Sequence, residues 1–337
     1  MSIFRNIIDD NKFTPEDVPQ FEAKLFFEGA NRRIALERFA VLLLLSTIIA
    51  TYGVIGDAVA TVIGAMIIAP LMRPIMGTTA GLIIGDMKRA ARSFLVVVLG
   101  VAGVIALAWL ITEITVTRAI SFETNSQIIG RISPRLIDLY AALAAGAAGA
   151  FAMSREDIAD SLPGVAIAIS LVPPLCVVGV GLAEGELEGA LGAMLLFITN
   201  LLAILLAGGG VLALLGLSAA TMKELNHSAR RKTFMLILIG LLLVIIPLGV
   251  TSRRVFNQNQ IRRETIQLAE DWMEGSGYNI SRVEVSGDHI DLVIFGFGER
   301  PRLSDLGDQL DETLAQTFDL ELIVLRSERV EYIDENE

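Results

Sequence analysis

Between Gly64 and Asp86 the chain reads GAMIIAPLMRPIMGTTAGLIIGD, apolar enough for a bilayer yet interrupted by Pro70 and Pro74, with Arg73 between them. Proline inside a helix removes a backbone hydrogen bond and clashes with the preceding turn, so a continuous helix is not expected here. In lipid, broken backbone is tolerated only where protein or a water-filled cavity covers it. The interruption recurs at Ser170-Leu-Val-Pro-Pro-Leu175. Two broken apolar segments in one chain are the sequence mark of a membrane transport site.

Hydrophobic residues make up 53% and charged residues 19% of the 337, in long apolar runs separated by charged loops. That balance exceeds what a soluble globular chain carries and predicts a polytopic α-helical membrane protein. Much of the net charge of −11 lies in the last eighty or so residues, which read as a separate soluble domain. No signal peptide is read at the start, where residues 1–35 form a polar cytoplasmic segment with an amphipathic stretch from Phe21 to Phe27. That stretch reads either as a surface helix entering the membrane or as an ordinary tail.

Seven spans are expected: Arg38–Tyr52, Ala58–Gly85 broken at its prolines, Ala91–Ile114, Leu136–Ala152, Leu162–Ala183 broken at Pro173-Pro174, Leu187–Leu217 with a bend at Gly208-Gly209-Gly210, and Phe234–Val250. The transmembrane domain is thus 36–252, with a first half at 36–114, a second at 136–217 and an extra span at 234–250. Span four is rich in alanine and glycine, which favours close helix contact inside the bundle. Basic residues flank alternate loops: Arg32, Arg33 and Arg38, then Lys88, Arg89 and Arg92, then Arg155, then Lys223, Arg230, Arg231 and Lys232. The amino terminus is therefore expected in the cytoplasm. Seven spans put the carboxy-terminal domain outside, despite Arg253, Arg254, Arg262 and Arg263, because long domains translocate largely regardless of charge.

Positions 100 apart correspond. Asp57 meets Asp157, Gly64 meets Gly164, Pro74 meets Pro174, Gly81-Leu82 meets Gly181-Leu182, and Gly85-Asp86 meets Gly185-Glu186. Three spans per half is an odd number, so the halves lie in opposite orientations, a 3+3 inverted repeat. Helix breaks free N–H groups at one new end and C=O groups at the other. Around the breaks the candidate substrate-binding residues are Pro70, Arg73, Pro74, Thr78, Thr79, Ser170, Pro173, Pro174, Thr199 and Asn200. Arg73 suits an anionic solute if it faces a cavity, or snorkels to headgroups if it lies shallower. Thr199 and Asn200 also suit interhelical hydrogen bonding, and Asp57 and Asp157 suit helix capping.

At these residues the chain resembles a known family. GAMIIAPLMRPI, SLVPPLCVVGVGLAEG and FITNLLAI are similar to the hydrophobic domain of bacterial and archaeal membrane proteins described as domain of unknown function 389, over roughly residues 35–250. The family carries glycine between the motif prolines where this chain has Arg73, which makes Arg73 a specialisation. The resemblance implies the membrane fold and names no substrate.

From Val255 the pattern changes to α-β-β-α-β, a small soluble α/β domain over 255–337 with a strand turn at Gly287-Asp288. Its expected role is oligomer contact or gating. The lone Cys176 excludes intrachain disulfides, and His227 and His289 stand alone, without cysteine or clustered carboxylates at ligand spacing, so neither metal nor cofactor is expected. There is no nucleophile–base pair, so an enzyme is not expected. The reading is a multi-pass plasma (inner) membrane transporter or channel-like carrier of a small solute, anionic if Arg73 takes part. It is expected to be a homo-oligomer, with membrane lipid and a small molecule or ion as partners and no nucleic acid. The competing reading is a non-transporting scaffold or sensor whose function lies in the tail domain.

Overall fold

The computed structural model describes residues 8–115, 120, 122, 124–155, 171–221, 260–286, 289–297, 301–314 and 317–326, together with residues 235, 239, 242, 245, 246, 249, 250, 253 and 257. The chain divides into two compact units, Met1–Gly249 and Val250–Glu337.

The first unit is helical: α1 (Asp17–Leu25), α2 (Arg32–Ile55), α3 (Val59–Ile68), α4 (Met72–Ile84), α5 (Met87–Thr115), α6 (Ser126–Ile132), α7 (Leu136–Met153), α8 (Val172–Glu184), α9 (Leu187–Leu214) and the short α10 (Leu217–Ala220). Among the described residues α2, α5, α7 and α9 are each long and apolar enough to cross a bilayer, and α3 with α4, bent by 47° at the break around Pro70, has the composition of a broken span or a re-entrant loop. Their outward surface is as apolar as their core. Leu44, Leu95 and Leu99 are 48%, 56% and 63% exposed. Such a surface fits hydrocarbon rather than water and so fits a membrane-spanning protein.

The expected spans one, three, four and six correspond to α2, α5, α7 and α9. Of span five only α8 falls among the described residues, and of span seven only scattered positions, helical where described. α9 runs as one helix through Gly208-Gly209-Gly210. The absent side chains there admit Met76, Thr79 and Ile83 of α4. The amphipathic amino-terminal stretch becomes α1, but its apolar face is not turned to a membrane surface. Val18, Phe21 and Leu25 are buried in the main core, and Phe26 and Phe27 follow them in.

The short helices α4 and α8 match in local detail. They start and end 100 residues apart, each followed by a left-handed glycine, Gly85 at φ 79° and Gly185 at φ 79°. A glycine there lets the chain leave the helix at no steric cost. In both turns the next amide reaches back, Asp86 N–H to the Gly81 carbonyl and Glu186 N–H to the Gly181 carbonyl, at 2.9 and 2.8 Å. The half-helices also cross over. α4 packs on α5 and α9, and α8 packs on α9 and α5.

The crossing depends on missing side chains. A Cβ at Gly179 would lie 2.6 Å from the Ala108 methyl and 2.7 Å from the Ile105 carbonyl oxygen of α5. A Cβ at Gly146 would lie 2.8 Å from Ile204 Cα of α9. Small residues let backbones approach in this way where no hydrophobic drive separates helix from lipid.

The second unit has a helix α11 over 260–272, then β1 (Tyr278–Ser286), β2 (His289–Gly296), α12 (Leu303–Leu314) and β3 (Asp319–Arg326), the expected element order. β2 is central, antiparallel to β1 and parallel to β3. Ser286 pairs with His289; the expected turn residues Gly287 and Asp288 lie outside the described residues. Ile290, Leu292 and Ile294 alternate into a core with Ala269, Met273, Leu306 and Leu310, as a sheet with one covered face requires.

The close crossing sets a test. Gly179→Ala forces backbone apart and is expected to cost about 1–3 kcal/mol, as overpacking does. Gly64→Ala, where a Cβ meets nothing within 4 Å, is expected to be neutral or mildly stabilising. Thermal unfolding of the detergent-purified variants checks both.

Candidate functional site at the broken helices

The break is built from backbone outward. α3 closes with the Ala69 N–H on the Ala65 carbonyl at 3.1 Å, and α4 opens with the Arg73 N–H on the Pro70 carbonyl at 3.3 Å. Of the four prolines only Pro70 stands in the gap, between Ala69 and Leu71. Pro74 is the third residue of α4, and Pro173 and Pro174 are the second and third of α8. Proline is tolerated there because first-turn amides have no partner within the helix. These prolines therefore begin helices rather than break them. They also delete N–H groups from the amino ends where an anion would be cradled. The dipole of each half-helix remains, but directed backbone donors are few, so a bound anion would depend on side-chain cations.

Arg73 is half-buried. Its guanidinium lies 4.3 Å over the Phe27 ring, and one Nη donates to the Phe26 carbonyl at 3.4 Å. That carbonyl follows the end of α1, where a cation is favoured. The Arg73 Nε is buried without a hydrogen-bond partner. Thr78 and Thr79 donate back to the Pro74 and Ile75 carbonyls at 2.8 and 3.0 Å, and Thr199 to the Leu195 carbonyl at 2.7 Å. Asn200 is buried. Pro173 and Pro174 are buried at the start of α8, and Ser170 lies outside the described residues.

The Thr79 methyl lies 3.4 Å from where a Gly209 Cβ would stand. Asn200 is nine residues from Gly209 on α9, about 14 Å of helix rise. α4 and α9 therefore meet at Thr79, away from the Thr199–Asn200 turn.

Two groups with polar roles were not legible in the sequence. Arg131, read there only as a loop charge, sits on α6, which packs against α8 and α9. It donates to the Gln127 carbonyl, and its Nε, like that of Arg73, is buried without a hydrogen-bond partner. Nearby, Cys176 of α8 lies 3.9 Å from the Thr47 carbonyl of α2, where Ser46, Thr47 and Thr51 are buried. Asp57 does cap a helix, but not the span it precedes. It accepts from Ser126 Oγ at 2.6 Å and from the Gln127 N–H at 3.1 Å, at the amino end of α6. Asn125 adds the N-cap and ties α6 to the end of α2 through the Val54 carbonyl at 2.8 Å. No local spacing announces contacts about 70 residues apart in the chain.

In the second unit His289 does not stand alone. Its Nε2 is 3.1 Å from Asp291 and 3.6 Å from Glu321, and the three ligand atoms lie within 4.8 Å of one another. Strand alternation puts His289 and Asp291 on one face, and the register sets Glu321 opposite Asp291. This triad is the described group that could hold a metal. As it stands it is a partly exposed cluster of polar side chains on one sheet face.

Two tests follow. Arg73→Ala removes the stacking on Phe27 and the bond to Phe26, together worth about 1–3 kcal/mol. It is expected to speed limited tryptic cleavage at Lys24, whereas a side chain engaged only with solute would leave that rate unchanged. The bond from Ser126, ahead of the opposing desolvation, holds the Asp57 carboxyl below its usual range. A depressed carboxylate stabilises the fold above its unfolded value of about 3.9, and that contribution is lost as pH falls through the lower folded value. Asp57→Asn is expected to flatten stability against pH in that acid window, read by thermal unfolding.

Residues 66–206, which contain both proline motifs and most of α9, match the family described as a domain of unknown function (DUF389). An uncharacterised protein of Methanocaldococcus jannaschii is 33% identical over 205 residues, covering 61% of this chain and 62% of the relative. The chain therefore spans less than two thirds of that relative's length.

Proposed function

The chain belongs to the DUF389 family, and from that premise we propose that it is a seven-span inner-membrane transporter or channel-like carrier built from two inverted three-span repeats. Its solute is small and, by the cations available, anionic. The supporting observation is the reciprocal placement of α4 and α8. They share their bounds at an offset of 100 and close on matching left-handed glycines, and each packs on its own following span and on the other half's. Broken half-helices crossing between inverted halves are how many secondary transporters set a solute site near the midplane.

Arg73 stands at the amino end of α4 and Arg131 beside α8. Each has a buried Nε free to donate, and together they supply the attraction that the prolines remove from the backbone. The carboxy-terminal unit lies outside the cell on this reading and joins copies of the chain.

A second reading rests on a specific observation. Thr78, Thr79 and Thr199 all donate to their own helices, and Arg73 is engaged by Phe26 and Phe27. A scaffold or sensor with prolines shaping its packing would look the same at these positions.

The two readings separate experimentally. In a Cys176→Ser background, Lys88→Cys and Glu188→Cys occupy exposed, equivalent places at the starts of α5 and α9. An impermeant maleimide added to intact cells is expected to label position 188 and not 88. Labelling of both positions, or of neither, contradicts the inverted repeat. In proteoliposomes, uptake of a small anion reduced at least about tenfold by Arg73→Gly or Arg131→Gln supports the carrier. No uptake of any anion, cation or neutral metabolite tested favours the scaffold.

A further inference from the structure

We infer that the groove between α2 and α5 seats an anionic phospholipid of the surrounding leaflet, with its acyl chain along the groove and its headgroup between Arg32 and Arg92. This goes beyond the carrier reading and needs only that the helices lie in a bilayer.

The groove encloses about 460 Å³ and is lined by Phe39, Leu43 and Thr47 of α2 and by Val96, Gly100 and Val104 of α5. Beside it lies a smaller hollow walled by Arg32, Arg89, Arg92 and Glu28, and Leu36 and Val96 line both. An apolar trough and a cationic hollow thus adjoin across shared walls. Both helices begin at that hollow, the end expected at the cytoplasmic face, where anionic headgroups and basic residues meet.

The cations divide into engaged and available. Arg89 is held by Glu22 at 2.7 Å and Glu28 at 3.0 Å, with Asp86 at 3.8 Å. Arg92 has Glu28 at 3.7 Å and a half-exposed side chain. Arg32 makes no ion pair among the described residues. A phosphodiester at the hollow would complete Arg32 and Arg92 without breaking the Arg89 network. Charge complementarity selects this occupant. A second copy's apolar helix could fill the trough but would leave the arginines unmatched.

The groove owes its depth to missing side chains. A Cβ at Gly103 would meet nothing within 4 Å. Gly103→Leu therefore adds bulk into open space and replaces glycine by a better helix former, so the variant tests the groove without threatening the fold.

The test uses the full chain in detergent, with thermal unfolding read against added dioleoyl phosphatidylglycerol or dioleoyl phosphatidylcholine. Ligands of the folded state raise its melting temperature by mass action. The glycerol lipid is expected to stabilise more than the choline lipid. Arg32→Gln and Arg92→Gln are each expected to weaken the glycerol lipid about fivefold, and Gly103→Leu to weaken both lipids. Equal shifts from the two lipids overturn the headgroup assignment. An undiminished shift in Gly103→Leu overturns the groove, and an equal shift from inorganic phosphate overturns the lipid as occupant. If Gly103→Leu instead converts a dimer to monomer while wild type ignores both lipids, the groove belongs to a second copy.

Discussion

A backbone that leaves the helix inside an apolar layer must be covered by the rest of the chain, because hydrocarbon offers no partner to a free amide or carbonyl. The first unit is arranged around that constraint at Pro70. The Ala69 amide turns back to Ala65 and the Arg73 amide to Pro70, so these two amides flanking Pro70 are satisfied locally. Protein then closes over it. The segment ending at Phe27 packs against α4 through Arg73, and α9 approaches from the other half through Gly208 and Gly209.

Close approach is the second half of the same solution. Helices in lipid gain little from burying apolar side chains against one another, so what holds them is contact made possible by small residues. Gly179 against Ala108, Gly146 against Ile204 and Gly81 against Ala90 place backbone beside backbone. These contacts also explain why the exposed side chains of α2 and α5 are as large and apolar as the buried ones. At these contacts the small residues face in, while side chains such as Leu44, Leu95 and Leu99 face out.

The apolar helices α2, α5, α7 and α9, the tail domain's element order and the matching ends of α4 and α8 were legible because they rest on hydropathy, local periodicity and repeated spacing. Pro74 and Pro173-Pro174 were legible as interruptions but not as helix starts, since a proline reads alike on either side of a boundary until its position within the first turn is fixed. The insertion of Phe21 and Leu25 into the core, the capping of α6 by Asp57 and the meeting of His289 with Glu321 were not legible. Each joins residues far apart in the chain, where neither propensity nor pattern carries information. Arg73 was legible as a cation within an apolar segment, whereas its partners Phe26 and Phe27 are again a tertiary matter.

The central claim is that each half-helix crosses onto the other half's long span. Disulfide cross-linking in native membranes tests it most directly. In a Cys176→Ser background, Thr79→Cys paired with Gly209→Cys should oxidise within one chain, since the Thr79 methyl lies 3.4 Å from the Gly209 Cβ position. Thr79→Cys paired with Trp109→Cys should not. α4 and α5 meet near Gly81 and Ala90, and Trp109 is nineteen residues further along α5, about 28 Å of rise. A cross-link at 79–109 with none at 79–209 would contradict the crossed arrangement.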